Sequence, residues 1–241
     1  VAVIGSGSGG GVAANILNKK YEVGIFEKGS YGNGMTNNET FGYHNFYDTN
    51  GIQQTRGYKV LLLAGMGIGG GTSVNWTTSL RTPNQILNEW DNLTEQDNYF
   101  NSHEFKNSMD YVCKELNVDI KNNRIPQKEE KLAEGLELNN LSYKIIPRNT
   151  SNDECTESGF STFGRYDESI NSTNKIWFSE ERFEPNNVFS DTNITSLDLS
   201  NGRATHINIE NNGTLHKVAV DKVVLAAGSL NTPKILLDSG Y

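Results

Sequence analysis

Cysteine is nearly missing from this chain: two residues in 241, Cys113 and Cys155. That excludes a disulfide-built scaffold and a four-cysteine metal site, and leaves one disulfide possible. Positive charge is also short. There are 21 Lys and Arg against 29 Asp and Glu, the net charge is −8 and the pI about 5.1. No basic stripe appears, which argues against a nucleic-acid partner. No run approaches the roughly 20 apolar residues of a membrane-spanning helix. An initiator Met is lacking as well. Val1 already lies in an apolar run, so the chain is expected to start inside a fold. Hydrophobic residues and glycine together make up about 45%, the low edge of the globular range and enough for a core. Asparagine is abundant, with 31 residues and seven Asn-x-Ser/Thr triplets at positions 38, 75, 92, 149, 171, 193 and 212. Chance predicts about five at this Ser and Thr content, so the triplets are weak evidence for secretion.

The first thirty residues carry the clearest pattern. Val1 to Ile4 is a short continuous apolar run, the mark of a strand buried on both faces. Gly5-Ser6-Gly7-Ser8-Gly9-Gly10 follows and fits G-x-G-x-x-G, Val12 to Leu17 reads as a helix, and Glu22 to Phe26 as a second strand. Glu27 closes that strand, 22 residues after Gly5. Gly5 permits the tight turn, Gly7 lets the backbone approach a pyrophosphate, and Gly10 lets helix and strand pack closely. The helix start offers N–H groups and a positive dipole end to phosphate, and Glu27 can accept from ribose hydroxyls. The alternative is an ordinary glycine-rich loop. The ordered series of strand, glycines, helix, strand and acid favours dinucleotide binding but does not separate NAD from FAD.

Residues 194–225 read as an antiparallel meander: Ile194–Leu199, Arg203–Ile209 and Thr214–Val220, joined by Asn201-Gly202 and Asn212-Gly213. Asn-Gly between strand-like runs is a strong hairpin signal, because a type I′ turn needs positive φ at both positions. Lys222 to Gly228 returns as a buried strand ending in glycine. The alternative is a hairpin insert in an NAD enzyme. Between these ends, Gly65 to Gly71 is a dense glycine cluster flanked by Leu61–Leu63 and Val74-Asn75-Trp76. Such a run costs backbone entropy and makes sense where backbone lies against a flat or anionic ligand. A flexible loop is the alternative, and the apolar flanks argue against it.

These three segments resemble the glucose–methanol–choline (GMC) oxidoreductase family. Gly69-Gly70-Gly71-Thr72-Ser73-Val74-Asn75 is similar to its G-G-x-S-x-x-N flavin segment, and Gly228 to Gly240 to its second signature. Continuing to Trp76 and Ser79-Leu80-Arg81-Thr82-Pro83, the chain looks most like the long-chain (fatty) alcohol oxidase branch. The resemblance implies an α/β, Rossmann-like two-dinucleotide fold with a β-meander and an α-rich insertion. The expected divisions are 1–92 and 187–241 for FAD binding and 93–186 for the substrate side. It implies FAD, with Gly5, Gly7, Ser8, Gly9 and Gly10 at the pyrophosphate and Glu27 at the ribose. Gly70, Gly71, Thr72 and Asn75 line the flavin, Ile194 presents backbone to adenine, and Gly228 closes the site. Val74 stands where some members carry a flavin-linked histidine, so FAD is expected to be non-covalent.

The implied chemistry is oxidation of an alcohol CH–OH group, a long-chain alcohol giving the aldehyde. A neutral histidine takes the hydroxyl proton as hydride passes to flavin N5, and the electrons then go to O2 or another acceptor. That histidine lies well beyond the second signature, so the chain is expected to be the N-terminal portion of a larger enzyme whose catalytic base follows Tyr241. The alternatives are a catalytically silent FAD-binding fragment and, less favoured, an NAD-linked dehydrogenase. Branch members are often membrane-associated, and no segment here supports that.

The remaining residues read as structural. Thr82-Pro83 starts a helix reaching Trp90, and Glu104 to Leu116 forms an amphipathic one with Phe105, Met109, Val112 and Leu116 on its apolar face. Cys113 neighbours that stripe and reads as core. Leu132 and Leu136 indicate a further helix, and the charge runs a solvated face. His206 and His216 fall on meander strands, while His44 and His103 show no triad or metal spacing. Ser158 and Ser161 stand in a stretch that is Cys-rich in the branch, and only Cys155 remains. Arg165, Tyr166 and Lys175 can equally be surface residues.

Overall fold

The computed structural model describes residues 1–31, 38–95, 98–121, 125–151, 169–179, 182–183, 187–211 and 213–241. Cys155, Ser158, Ser161, Arg165, Tyr166 and Asn212 lie outside them. Strands β1 (Ala2–Ile4), β2 (Gly24–Phe26), β5 (Val188–Phe189) and β9 (Val223–Leu225) form one parallel sheet in the order β5-β2-β1-β9. β3 (Gln53–Gln54) and β4 (Leu61–Leu62) make a separate two-stranded ribbon. β6 (Asn193–Ser200), β7 (Arg203–Asn211) and β8 (Thr214–Ala219) form the antiparallel meander. The helices are α1 (Ser8–Leu17), α2 (Glu39–Phe46), α3 (Asn84–Thr94), α4 (His103–Glu115), α5 (Gln127–Leu138), α6 (Thr173–Trp177) and α7 (Gly228–Asp238).

Why the first apolar run is unbroken is now visible. Ala2, Ile4 and Phe26 face one side of the parallel sheet and pack with Ile194, Leu197, Ile207 and Ile209 of the meander and Ile235 of α7. Val3 and Ile25 face the other side and pack with Ala14 of α1, Val23, Ile68, Phe178 and Phe183. With both faces covered, alternation disappears from the sequence. The meander's apolar residues alternate because only one of its faces is buried, with Leu197 opposite Ile207 and Ile194 opposite Ile209. Asn201 (φ 50°) and Gly202 (φ 74°) form the positive-φ turn that the sequence demands.

The chain forms two compact units, one of residues 1–76 with 172–241 and the other starting at Thr77 and taking in 169–171. The expected divisions fell at 92 and 186. All of the parallel sheet, ribbon and meander belong to the first unit. The second carries α3, α4 and α5. Its α3 begins at Asn84 with Pro83, not Thr82, in the capping position. Ser102 caps α4, its side chain accepting from the Phe105 N–H at 3.2 Å. Phe105, Met109, Val112 and Leu116 are each half-buried, as their spacing predicts, and Cys113 is half-buried and free rather than fully enclosed. Asn149 and Asn171 are buried, and each donates through its side-chain amide, to the Asn171 and Leu116 carbonyls respectively. Two of the seven triplets are therefore shut inside the fold. α2 is an element that the apolar pattern did not announce, because only Gly42 and Phe46 of its eight residues are buried.

Candidate functional site

α1 starts four residues earlier than its apolar spacing indicates, at Ser8, so Gly9, Gly10 and Gly11 lie inside its first turn. Helix starts leave their leading N–H groups without partners in the helix, and here Gly7, Ser8 and Gly9 border a cavity of about 1240 Å³. Drug-sized ligands occupy pockets of roughly 300–1,000 Å³, so this cleft has the scale of a dinucleotide. It lies entirely within the first unit. Its walls are the β1–α1 turn, the end of β2, residues 62–66, Gly70–Thr72 with Asn75, Thr192–Thr195, and the run from Val224 into α7.

The glycines of the turn divide by what demands them. Gly5 has φ 95°, and a Cβ there would lie 2.4 Å from the Ala226 carbonyl oxygen. Gly10 would place a Cβ 1.8 Å from the Gly5 carbonyl oxygen. The protein's own atoms require both. Gly7 is different: its φ of −66° suits any residue, and a Cβ there meets nothing within 4 Å. Gly9 and Gly71 also border the cavity with open space where a Cβ would be, and neither has positive φ. Among the described residues nothing explains glycine at these three positions. A ligand lying against the backbone does, so the residues present fit a bound dinucleotide.

Ser6 joins the two glycine segments. It is fully buried, its hydroxyl donates to Glu27 Oε2 at 2.6 Å, and it accepts from the Gly69 N–H at 3.0 Å. Glu27 also accepts from the Ser6 N–H on Oε2 and from the Gly29 N–H on Oε1, both at 3.0 Å. An ionised carboxylate has about four acceptor sites, so capacity remains for a ribose hydroxyl. In the second segment Gly67, Gly69 and Gly70 all have positive φ, and a Cβ on Gly70 would lie 3.1 Å from the Gly7 Cα. The two turns touch backbone to backbone. Asn75 borders the cavity while its amide donates to the Gly71 and Thr72 carbonyls at 3.0 and 2.9 Å, fixing the turn.

Of the twelve residues expected at the cofactor, eleven border this one cavity: Gly5, Gly7, Ser8, Gly9, Glu27, Gly70, Gly71, Thr72, Asn75, Ile194 and Gly228. Gly10 does not. It is buried against Gly5, so its part is in helix–strand packing. Val74 does not border the cavity either and packs with Phe46 and Tyr47. Burial, with Tyr43 adding to it, pushes the Tyr47 hydroxyl up to about 12, which keeps it a neutral donor to the Val74 carbonyl at 3.4 Å. Lys175 falls on α6, and no histidine borders the cleft among the described residues.

Sequence reasoning missed Lys28, Asp48 and Asn231, which also border it. Asp48 is buried, receives Lys28 Nζ at 2.5 Å on Oδ1, and accepts from Asn231 Nδ2 at 3.1 Å on Oδ2. Burial raises its carboxyl, but the Lys28 and Asn231 bonds outweigh it, and the net direction is below the usual carboxylate value. Lys28 was signalled only by following Glu27. Asp48 sits in a polar stretch with no periodic signal at all.

Solved structures share this architecture. An FAD-dependent oxidoreductase from Chaetomium thermophilum aligns with a TM-score of 0.67 at 15% identity, covering 97% of this chain and 46% of its own. A fungal aryl-alcohol oxidase aligns with a TM-score of 0.65 at 13% identity, covering 99% and 47%. By sequence, the long-chain-alcohol oxidase FAO4A of Arabidopsis thaliana is 30% identical over 247 residues, 99% of this chain and 34% of its own length. FAO3 of the same plant is 29% identical over 259 residues, again 34% of its length. The chain thus spans about a third of these curated relatives. The GMC oxidoreductase family model matches residues 8–241, and the chain belongs to the GMC oxidoreductase family.

Proposed function

We propose that this chain is the FAD-binding part of an alcohol-oxidising GMC enzyme, with the cofactor held non-covalently. The observation that carries the reading is the trio Gly7, Gly9 and Gly71, where neither backbone angle nor packing calls for glycine. In this reading the first turn of α1 receives the pyrophosphate through its N–H groups, and Glu27 accepts from the ribose. The Ile194 backbone meets adenine. Gly70 to Asn75 and Gly228 flank the flavin. Residues 1–92 and 187–241 serve the dinucleotide, and 93–186 the substrate side. When bound, FAD supplies the hydride acceptor for a CH–OH group. The chain's own residues bind it, orient it and exclude water from one face. A long-chain alcohol is the substrate class, on the strength of relatives at 30% identity, with O2 or another acceptor taking the electrons. Among the described residues no histidine, cysteine or tyrosine borders the cavity, which supports non-covalent retention.

A second reading is favoured by one observation: no histidine borders the cleft among the described residues. On this reading the 241-residue chain binds flavin without oxidising alcohol. One experiment addresses cofactor and linkage together. The purified chain, loaded with FAD, is precipitated with acid and the visible spectrum of both fractions recorded. Flavin bands are expected in the supernatant. Flavin in the pellet would overturn non-covalent retention, and no flavin uptake at all would overturn the FAD reading. Alcohol-dependent bleaching of the flavin in the intact chain would decide against the silent alternative.

A further inference from the structure

Asp48 stands where the chain both enters and leaves the excursion 49–63. Its N–H donates to the Ala64 carbonyl at 2.9 Å, and Tyr47 bridges to Gly65. Straight after it, Thr49 and Asn50 take positive φ (55° and 61°) and turn the chain away. Its carboxylate meanwhile reaches two other walls of the cleft, Lys28 at the end of β2 and Asn231 in the first turn of α7, 20 and 183 residues distant in sequence. All three residues border the cavity. One buried carboxylate therefore ties the 62–66 wall to β2 and to α7. Neither the parallel sheet nor the helix needs this junction for its own hydrogen bonds.

We propose that Asp48 is a positioning residue that holds these walls at their spacing and thereby sets how slowly a bound dinucleotide leaves. The inference rests on the FAD reading above. Asn231→Ala removes one tie and leaves the Lys28–Asp48 pair. Asp48→Asn keeps the shape and removes the charge. The double variant Asp48→Asn with Asn231→Asp restores a donor–acceptor pair with the partners exchanged.

The test uses the full chain, following flavin fluorescence during uptake and after dilution. Both single variants are expected to release FAD about tenfold faster or more, a loss of roughly 1.4 kcal/mol, with the bimolecular uptake rate near that of the parent. Asn231→Ala, which leaves the Lys28–Asp48 pair, is also expected to keep the parental cofactor-free melting midpoint. The exchanged pair is expected to recover slow release. A merely structural role would lower the cofactor-free melting midpoint of Asn231→Ala as well, with no recovery of slow release in the exchanged variant, and that result would overturn the proposal. So would release at the parental rate in both single variants, with FAD binding itself left standing. A parent chain that takes up no FAD would overturn both readings.

Discussion

At the scale of the residue, glycine identity separates two kinds of demand. Gly10→Ala forces a Cβ to 1.8 Å from a backbone oxygen, so we expect a loss of about 3 kcal/mol or more, read by urea unfolding of the cofactor-free chain. Gly7→Ala adds a methyl into open space at an ordinary φ. Its unfolding free energy should stay within about 0.5 kcal/mol of the parent, while FAD affinity falls at least tenfold. If Gly7→Ala binds FAD normally, the pyrophosphate does not lie against that backbone. Ser6→Ala leaves the Gly69 N–H and Glu27 Oε2 each short of a partner inside the fold. That should cost about 1–3 kcal/mol by the same measurement.

At the scale of the element, the meander is held to the parallel sheet and to α7 by a single apolar face. Ile207 is fully buried at its centre and Ile235 comes from α7. Ile207→Ala should cost about 2–5 kcal/mol, seen as a lower denaturation midpoint with an unchanged slope. Leu197 also donates its N–H to Ser239 Oγ at 2.8 Å, so the end of α7 is pinned to β6. The Asp48 junction brings a pH term. Its folded-state value lies below the ordinary one, so its contribution is complete above the ordinary carboxylate value near 4 and is lost as pH falls through the folded value. The stability difference between the parent and Asp48→Asn should therefore be full at pH 7 and shrink in acid. A difference that is constant with pH would show that the Lys28 pairing is not its source.

At the scale of the whole molecule, any ligand that binds only the folded chain adds stability by mass action. FAD at about 100 times its dissociation constant should contribute about 2.7 kcal/mol, a rise of about 5–10 °C in melting midpoint for a chain of this size. NAD at the same concentration should produce no such rise. The reverse pattern would favour the dehydrogenase alternative. The chain covers about a third of the length of its long-chain-alcohol oxidase relatives, and both the dinucleotide binding and the alcohol chemistry are proposals for it.

Much of this was legible in the order of residues. The unbroken run at Val1–Ile4, the spaced glycines, Glu27 and the two Asn-Gly turns are local signals, because backbone angle and strand burial act on neighbours in sequence. They determined three strands of the parallel sheet, the meander, and the glycines and Glu27 at the cavity, whereas Thr72, Asn75 and Ile194 came only with the family resemblance. Tertiary structure decided what depends on distant neighbours. It assigned Gly10 to packing, turned Val74 into the core beside Tyr47, and brought Lys28 and Asn231 to Asp48 from 20 and 183 residues away. No periodic pattern marks such a meeting, since each of the three side chains sits alone in its own segment and finds its partners only when the chain has folded.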